Sequence, residues 1–387
     1  MVELFFEILF VVVLFLIINT YLLYPLGLFI LRKLTNIGDP GIYSPKISIL
    51  IAAYNEEKVI RKRIDNIADQ DYDFTKLELI IGSDCSTDST NEILLQAENE
   101  FPWLKVLICD VRRGKAGVLN DLIEKANNEI LVFSDANTVF EKDAIQKLVR
   151  HFSNEKIGGV CGKLILTDEN IDKREGVEEA KYWQFETIIK EGEGRLGILI
   201  GANGGNFAIR KSLAAYLPPK KPVTDDFYLS LKVLQSGAKF IYESDSIGTE
   251  DVGQNIRVEF KRKIRFAATN FQTLSLIKEL LFSKNILLSY AFWSHKVLRW
   301  IFPILMLSLL SISLIIYPIN PFYYVVLLTQ TFFYLFSLIG FILSKVKVNI
   351  SIFSLPYFFL LANIALFIGL VRYIRGKHTV VWESTKR

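Results

Sequence analysis

Cysteine and histidine are scarce in this sequence of 387 residues, and their scarcity excludes two kinds of site. The three cysteines, Cys85, Cys109 and Cys161, are scattered and form neither a disulfide framework nor a zinc-binding pattern. The three histidines lie far apart along the chain, so a metal centre built on histidine is not expected. A reducing compartment such as the cytosol suits a chain of this kind.

The chain also lacks a large excess of charge. Its 45 lysines and arginines against 41 aspartates and glutamates leave a formal net charge of +4. A balance this close to neutral implies no general attraction to nucleic acid. Internal repeats and low-complexity linkers are missing as well, so the polar section of the chain is interpreted as one domain.

Uncharged apolar sequence, by contrast, is abundant. Hydrophobic residues make up 51% of the chain, and three stretches carry no charge: Ile8 to Leu31, Ile301 to Ser344 and Val348 to Val371. A helix needs only about 20 apolar residues to cross a membrane. The middle stretch, interrupted at Pro318 and Pro321, is long enough for two crossings. Four transmembrane helices are therefore expected, one N-terminal and three C-terminal.

The first stretch is expected to remain as an anchor, because no basic residue precedes it and no small-residue cleavage site follows it. Basic residues at the ends of spans favour the cytoplasmic side. Arg32 follows the first span and Arg299 precedes the second, which places the polar section between them in the cytoplasm. The last span conflicts with this rule, because basic residues such as Lys345 and Arg372 flank both of its ends. Either one apolar segment does not cross fully, or the tail breaks the rule.

Short apolar runs alternate with helical patterns in the polar section, which is typical of an α/β sheet with helices on both faces. Four strands are predicted: Lys46 to Ala53, Leu77 to Gly82, Leu104 to Cys109 and Glu129 to Ser134. Helices are predicted to begin near Glu56, Asp88, Lys115 and Lys142. Ligands bind such sheets beyond the carboxyl ends of the strands, and the polar motifs of this chain lie there.

Polar residues follow the first two predicted strands. Ala53, Asn55 and Glu56 stand at the end of the first strand, and Asp84 follows the second. An acidic residue in such a position can accept hydrogen bonds from a base or a ribose, so these four are candidates for nucleotide binding. The residues from Ser86 to Asp88 are also ordinary turn and helix-capping residues, and that alternative stays open.

A basic glycine-containing segment, Arg112 to Gly117, opens the third predicted helix. Its glycines let the backbone approach a ligand, and basic residues at a helix N-terminus favour a bound anion. The segment lacks the spacing of a Walker A loop or of a GxGxxG fingerprint. Lys115 is therefore a candidate for phosphate binding, with a solvated basic turn as the alternative.

Asp135 and Asn137 follow the fourth predicted strand, two positions apart. Both can point at one divalent cation, Mg²⁺ or Mn²⁺, which prefers oxygen ligands and can bridge the phosphates of a donor. Asp135 would be the anionic ligand and Asn137 an amide ligand. A plain turn before a helix explains the same residues.

Two further segments suggest an acceptor site. The loop Gly201 to Asn206 places Asn203 and Gly204 in a glycine-rich backbone that can approach a ligand. Trp183 lies upstream on a predicted helix, and its aromatic face could stack on a sugar ring. A glycine turn and a core tryptophan are the respective alternatives.

The most informative pattern is Thr224-Asp225-Asp226, followed after thirty-five residues by the basic segment Arg262 to Phe266. A carboxylate can take a proton from an acceptor hydroxyl while arginines hold a departing diphosphate. This order indicates sugar transfer from a nucleotide donor. A helix would place Arg262 and Arg265 on one face, while attraction to lipid headgroups is the competing explanation of these charges.

In this order the motifs resemble those of the membrane-integrated inverting glycosyltransferases of family 2, which include cellulose, hyaluronan and chitin synthases. Asp84 resembles the uracil-side aspartate, Asp135 begins a DxD-like metal motif, and Asp226 matches the aspartate of the TED element. Arg262 to Phe266 resembles QxxRW at the family's characteristic distance. The resemblance covers roughly Lys46 to Arg387 and implies a GT-A fold.

The resemblance also implies a mechanism, a single in-line displacement that inverts the anomeric carbon. Asp226 would be the general base and Asp225 would lie at the acceptor. Lys115, Arg265 and the divalent ion at Asp135 would stabilise the departing diphosphate. The implied partners are a nucleotide sugar, expected to be UDP-linked, a glycan or lipid-linked acceptor, and membrane lipids.

Departures from the family pattern limit what it implies. Asn137 replaces the second aspartate of DxD, and Arg262 and Phe266 replace the glutamine and tryptophan of QxxRW. Transfer itself is expected, and processive polymerisation is left open. Two other classes also remain: a nucleotidyltransferase, which would not account for the basic segment, and a catalytically inactive membrane scaffold.

Five segments are expected along the chain. They are an anchor at 1–33, a cytoplasmic GT-A domain at 34–274, an amphipathic interface segment at 275–300, transmembrane helices at 301–371, and a basic tail at 372–387. The tail contains Trp382 to Arg387, which resembles a W-x-x-T-x-R motif.

Overall fold

The structure is a computed structural model that describes residues 1–33, 35, 38, 40–167, 175–251, 256–346, 348 and 350–376. Side chains of 175–182 and 256–259 are not described. The W-x-x-T-x-R-like tail, Trp382 to Arg387, lies outside the described residues.

Strands and helices alternate in the first half of the sheet domain, which is the part of the chain that contains the strands. The strands are β1 Ile47–Ala53, β2 Leu77–Ser83, β3 Leu104–Ile108, β4 Ile130–Phe133, β5 Val139–Phe140, β6 Ile157–Thr167, β7 Phe207–Arg210 and β8 Lys239–Asp251. The helices are α1 Val2–Ile18, α2 Tyr24–Leu31, α3 Ile60–Ala68, α4 Thr90–Glu100, α5 Gly114–Lys125, α6 Ala144–Val149, α7 Glu175–Leu196, α8 Asp225–Gln235, α9 Ile256–Leu276, α10 Ile286–Ala291, α11 Leu298–Trp300, α12 Phe302–Ile316, α13 Pro321–Lys345 and α14 Ser351–Ile374. Two π-helical segments, Asn19–Leu23 and Phe292–Val297, join α1 to α2 and α10 to α11.

Across the described residues, eight strands form one mixed sheet in the order β3-β2-β1-β4-β7-β6-β8-β5. The pairs β1–β2, β2–β3 and β1–β4 are parallel, whereas β4–β7 and β6–β7 are antiparallel. Parallel strands covered on both faces contain nearly continuous apolar sequence, and all seven residues of β1 are buried. The α/β prediction is confirmed, and all four predicted strands are present.

Two apolar layers cover the two faces of the sheet. Alternate residues of β1 point to opposite faces, so Leu50 and Ala52 belong to one layer and Ile49 and Ile51 to the other. The first layer also contains Leu28 of α2. On this face α2 packs against α7, where a Cβ at Gly192 would lie 2.9 Å from Cβ of Leu28.

Apolar helices flank the sheet domain at both ends of the chain. Among the described residues, three stretches are long and apolar enough to cross a membrane: Val2–Leu31, Pro321–Lys345 and Ser351–Ile374. Ile286–Trp300 and Phe302–Ile316 make a fourth only if they count as one span, because they are bent by 71°. The four predicted crossings thus correspond to three long helices and one bent pair.

The end of α14 packs against α9. A Cβ at Gly369 would lie 2.9 Å from the carbonyl oxygen of Ile264 in α9, and the Tyr373 ring stacks on Phe271 with centroids 6.0 Å apart. At the other end of the chain, Arg32 pairs with Glu191 of α7 at 3.7 Å. Both the N-terminal and the C-terminal apolar helices therefore end against helices of the sheet domain. The assignment of the sheet domain to the cytoplasm stays a prediction.

Candidate active site

The candidate site lies beyond the carboxyl ends of β1, β2 and β4, where the N-termini of α5 and α8 meet. Asp84 follows β2 and is fully buried. Its carboxylate accepts backbone N–H groups of Arg113 at 2.6 Å and Gly114 at 3.0 Å, while its own N–H donates to the carbonyl of Ala53 at 2.9 Å. Asp84 thus satisfies free donors at the start of α5. Its expected contact with a nucleotide base stays a prediction.

The loops after β1 and β2 are tied to each other. Asn55 has a φ of 54°, a left-handed conformation that asparagine tolerates better than most residues. Its side-chain oxygen accepts the N–H of Thr87 at 2.8 Å, and the N–H of Glu56 donates to the hydroxyl of Thr90 at 2.8 Å. These bonds hold the segment after β1 as a loop. The first helix therefore begins at Ile60 rather than near Glu56.

Lys115, near the start of α5, joins three elements of the site. Its ammonium lies 2.8 Å from the Asp135 carboxylate after β4 and 3.0 Å from the Asp225 carboxylate at the start of α8. Burial lowers the pKa of Lys115, but the two carboxylates raise it more, so the net shift is upward. The positively charged ammonium of Lys115 therefore lies between the residue after β4 and the first turn of α8.

Asp226 lies beside this pair in the first turn of α8. Its carboxylate accepts the N–H of Phe227 at 2.7 Å. Burial, followed by repulsion from Asp225, raises the pKa of Asp226 to about 7, against the opposing effect of Lys115. A carboxyl group with a pKa near neutrality is suited to accept a proton.

Gly204 leaves space between two of the carboxylates. A Cβ at this position would lie 3.5 Å from an Asp226 oxygen and 3.7 Å from an Asp135 oxygen. The preceding residue, Asn203, donates its side-chain N–H to the carbonyl of Gly162 at 2.8 Å, and its side-chain oxygen accepts from Lys190 of α7. The amide of Asn203 therefore anchors the loop, and the loop opens at Gly204.

The donor set for a metal ion is small. Within the described residues, no group of three or more histidine, cysteine, aspartate or glutamate side chains could hold a metal ion. Asp135 and Asn137, both partly exposed, offer one carboxylate and one amide at the end of β4. Mg²⁺ usually binds one or two carboxylates together with substrate phosphates and water. The residues present fit an ion of that kind and do not fit a cage made of protein ligands alone.

The remaining candidates lie on two helices. Trp183 is half-buried on α7, the helix that also carries Lys190. Arg262 and Arg265 lie on α9, each with its guanidinium carbon 5.4 Å from the Phe266 ring centroid. The prediction of a helix at this position is confirmed. The orientation of Arg265 towards a donor stays a prediction.

A second charged cluster, which the sequence motifs did not predict, lies behind the site. Glu186 of α7 accepts from Lys296 at 3.1 Å and from Arg299 at 2.7 Å, and its carboxylate lies 2.8 Å from Nε2 of His295. Glu193, about two turns further along the same face of α7, lies 2.7 Å from Nδ1 of His295. The spacing of Glu186, Lys190 and Glu193 indicates one polar face of α7. That pattern alone could not identify the partners, which lie more than 100 residues away.

Comparison with known proteins agrees with this geometry. The model of the family "Glycosyl transferase family 2" matches residues 48–217. A β-monoglucosyldiacylglycerol synthase from Synechocystis sp. is 30% identical over 201 residues, which cover 49% of this chain and 40% of that protein. A poly-β-1,6-N-acetyl-D-glucosamine synthase from Staphylococcus epidermidis is 26% identical over 233 residues, covering 59% and 55%. The chain thus matches about half the length of these curated relatives.

A solved structure shares the fold over almost the whole chain. It is a mannosyltransferase from Pyrobaculum calidifontis in complex with GDP-Man and Mn²⁺, with a TM-score of 0.71 and 20% sequence identity. The similarity covers 96% of this chain and 100% of the other. Residues 48–217 thus match the glycosyl transferase family 2 model, and the chain has the GT-A-like fold that it shares with this solved structure.

Proposed function

We propose that this enzyme moves a sugar from a nucleotide-sugar donor, UDP-linked, to a lipid-linked or polysaccharide acceptor at the membrane, with inversion of the anomeric carbon. The observation that carries the proposal is Asp226. Its carboxylate faces the space at Gly204 together with Asp135, and burial raises its pKa to about 7. A carboxylate with these properties can accept the proton of an acceptor hydroxyl near neutral pH.

The donor side of the proposal rests on Lys115 and Asp135. Asp135 follows β4 and Lys115 lies in the first turn of α5, at the edge of the sheet where α/β folds bind their ligands, and their side chains are 2.8 Å apart. Lys115 would contact the diphosphate, and Asp135 with Asn137 would hold a divalent ion. A bound divalent ion neutralises negative charge on the departing diphosphate.

Arg265 is proposed to add a second positive charge on the leaving-group side. It lies on α9, one helical turn from Arg262, so both can act from one face of the helix. Positive groups aimed at developing phosphate charge contribute a few kcal/mol each, roughly, in sites of this type. Asp225, held by Lys115, would lie next to the acceptor.

The acceptor class follows from the relatives and from the apolar helices. One relative is named for a glycolipid product and another for a polysaccharide. The helices Val2–Leu31, Pro321–Lys345 and Ser351–Ile374 would keep the domain at a membrane surface, where either acceptor could reach it. On this reading the sheet domain faces the cytoplasm, where nucleotide sugars are found.

The deciding experiment is an assay of membranes or purified protein with labelled nucleotide sugars. We expect release of a nucleoside diphosphate and formation of a β-linked product in the wild type, and neither in Asp226→Asn. Release of pyrophosphate would instead identify a nucleotidyltransferase. Binding of nucleotide without any turnover would identify an inactive scaffold.

A further inference from the structure

We infer that Thr224 and Thr269 form a hydroxyl clamp that fixes the helix carrying the proposed base against the helix carrying the proposed arginine. Thr224 immediately precedes α8, and Thr269 lies in the middle of α9. The inference rests on the proposed function of Asp226 and Arg265. It assigns to two threonines, which touch neither donor nor acceptor in that scheme, the task of setting the distance between the two halves of the site.

Thr224 is the residue that caps α8, yet its hydroxyl makes no capping bond to that helix. The hydroxyl lies instead 2.9 Å from the Thr269 hydroxyl and 3.1 Å from the side-chain oxygen of Asn270. Capping residues usually satisfy the free N–H groups of their own helix. The side chain of Thr224 is therefore committed to α9, two positions before Asp226.

Thr269 connects this contact to the arginine segment. Its hydroxyl lies 3.2 Å from the carbonyl oxygen of Arg265 and 3.0 Å from that of Phe266, and the residue is buried. A continuous set of short polar contacts thus runs from the residue before α8 to the backbone of Arg265. A shift of either helix would lengthen at least one of these contacts.

A row of aromatic side chains also connects α8 to α9. Phe227, which follows Asp226, packs edge-on against Trp300 with centroids 5.6 Å apart, and Trp300 packs edge-on against Phe271 of α9 at 5.7 Å. Phe271 in turn stacks on Tyr373 of α14. Because this row holds the helices together by apolar burial, loss of one hydroxyl should change their spacing without unfolding the protein.

The clamp predicts a loss of rate rather than of binding. A neutral hydrogen bond contributes only about 1 kcal/mol to stability, whereas a misplacement of about 1 Å at a reacting centre can cost about 100-fold in rate. Thr224→Val and Thr269→Val keep the shape of the side chain and remove only the hydroxyl. Thr224→Ser and Thr269→Ser keep the hydroxyl.

The test is a double-mutant cycle on the full-length protein in detergent, with nucleotide-sugar turnover as the readout. We expect each valine variant to lower kcat about tenfold, with the KM for the donor within about threefold of wild type. We expect the serine variants to retain activity within about threefold. The double variant should be no worse than about threefold below either single variant, because both substitutions break the same contact.

Thr273→Val is the matched control. Thr273 is buried one turn further along α9, and its hydroxyl donates to the carbonyl of Thr269 within the same helix. We expect this variant to keep its kcat within about twofold, since the hydroxyl that it removes bonds within α9. A comparable loss of kcat in Thr273→Val would show that any buried hydroxyl of α9 matters, and would overturn the clamp.

Two other results would also overturn it: a double variant about 100-fold down, which means independent effects, or valine variants with normal kcat. If Thr224→Val prevents folding, the kcat and the melting temperature of the Thr269 variants test the clamp on their own. The proposed function fails separately, through full activity in Asp226→Asn. Failure of the clamp leaves that result untouched.

Discussion

Two charged clusters lie near the loop that contains Gly201 and Gly204, and they differ in how their charges are balanced. The edge cluster consists of Lys115, Asp135, Asp225 and Asp226, in which three carboxylates share one lysine. The anchor cluster consists of Glu186, Glu193, His295, Lys296 and Arg299, in which each carboxylate has at least two hydrogen-bond donors around it. One cluster has surplus negative charge beside an open space, and the other has its carboxylates fully engaged.

This difference shows in the acid strengths of the two clusters. Burial raises the pKa of Asp226 to about 7, because Lys115 opposes it only in part. Burial also acts to raise the pKa of Glu186, but His295, Lys296 and Arg299 overcome it and hold the pKa well below its usual range. Perturbed carboxyl groups occur in both functional and structural networks. Here the two pKa shifts differ in direction: the upward shift at Asp226 suits a proton acceptor near neutral pH, and the downward shift at Glu186 suits a partner in an ion pair.

The positions of the clusters support the same division. The edge cluster lies at the strand ends, where the site opens, while the anchor cluster joins α7 to the segment before α12. Glu193 also accepts from the hydroxyl of Tyr24, so the anchor cluster reaches the N-terminal apolar helix. Its role is to attach the sheet domain to the apolar helices.

The strongest test of this comparison is Asp226→Asn. We expect turnover to fall by about 10²–10⁴-fold, because the amide cannot accept the proton, while nucleotide affinity stays within about threefold. The measurement is kcat in parallel with nucleotide binding by calorimetry. Activity above about a tenth of wild type would remove Asp226 from the role of base.

How far the sequence alone leads can be judged from particular elements. β1 to β4 are predictable because each is a short apolar run bounded by polar loops. β6 and β8 were not predicted: β6 contains Gly158, Gly159 and Gly162, and its pairing with β8 is irregular at two places. The 71° bend before α12 was also missed, since hydropathy measures length and polarity but not direction.

Some residues of the candidate site could also be predicted from the sequence, and others could not. Asp135 and Asp226 follow from motif order, because each stands in a short local pattern. Thr269 and Lys190 have no local signature, since their partners lie 45 and 13 residues away in sequence. Contacts of this kind depend on how helices pack, and a single sequence does not determine that packing.

The second prediction concerns metal dependence at the edge cluster. EDTA should stop turnover and Mg²⁺ or Mn²⁺ should restore it, whereas Asp135→Ala should lose roughly 100-fold with either ion, since an ion-bound carboxylate is removed. Titration of the ion against initial rate provides the measurement. Asn137→Asp is the control, and we expect it to be tolerated. Normal metal-dependent kinetics in Asp135→Ala would place the ion elsewhere.

The anchor cluster should respond in stability rather than in chemistry. Glu186→Ala leaves the basic groups around it buried without their carboxylate, and removing one partner of a buried ion pair costs about 3–5 kcal/mol. We expect a clear drop in the melting temperature of the purified protein, with a kcat for the folded fraction near that of wild type. A variant that melts normally but does not turn over would move Glu186 into the catalytic machinery.

The smallest effect, and the one that probes the pKa difference directly, is the pH dependence of kcat/KM. The active form of Asp226 is the carboxylate, so activity should be full above its pKa of about 7 and should fall about tenfold per pH unit below it. At pH 6 we therefore expect roughly a tenth of the activity at high pH. Initial rates between pH 5.5 and 8.5 at constant ionic strength, with nucleotide affinity measured at each pH, separate this effect from loss of donor binding. The Thr273→Val variant should show the same profile as wild type, because it leaves the surroundings of Asp226 unchanged. If activity instead fell only near pH 4, Lys115 would be holding Asp226 ionised. The edge cluster and the anchor cluster would then differ in position alone and not in the pKa of their carboxyl groups.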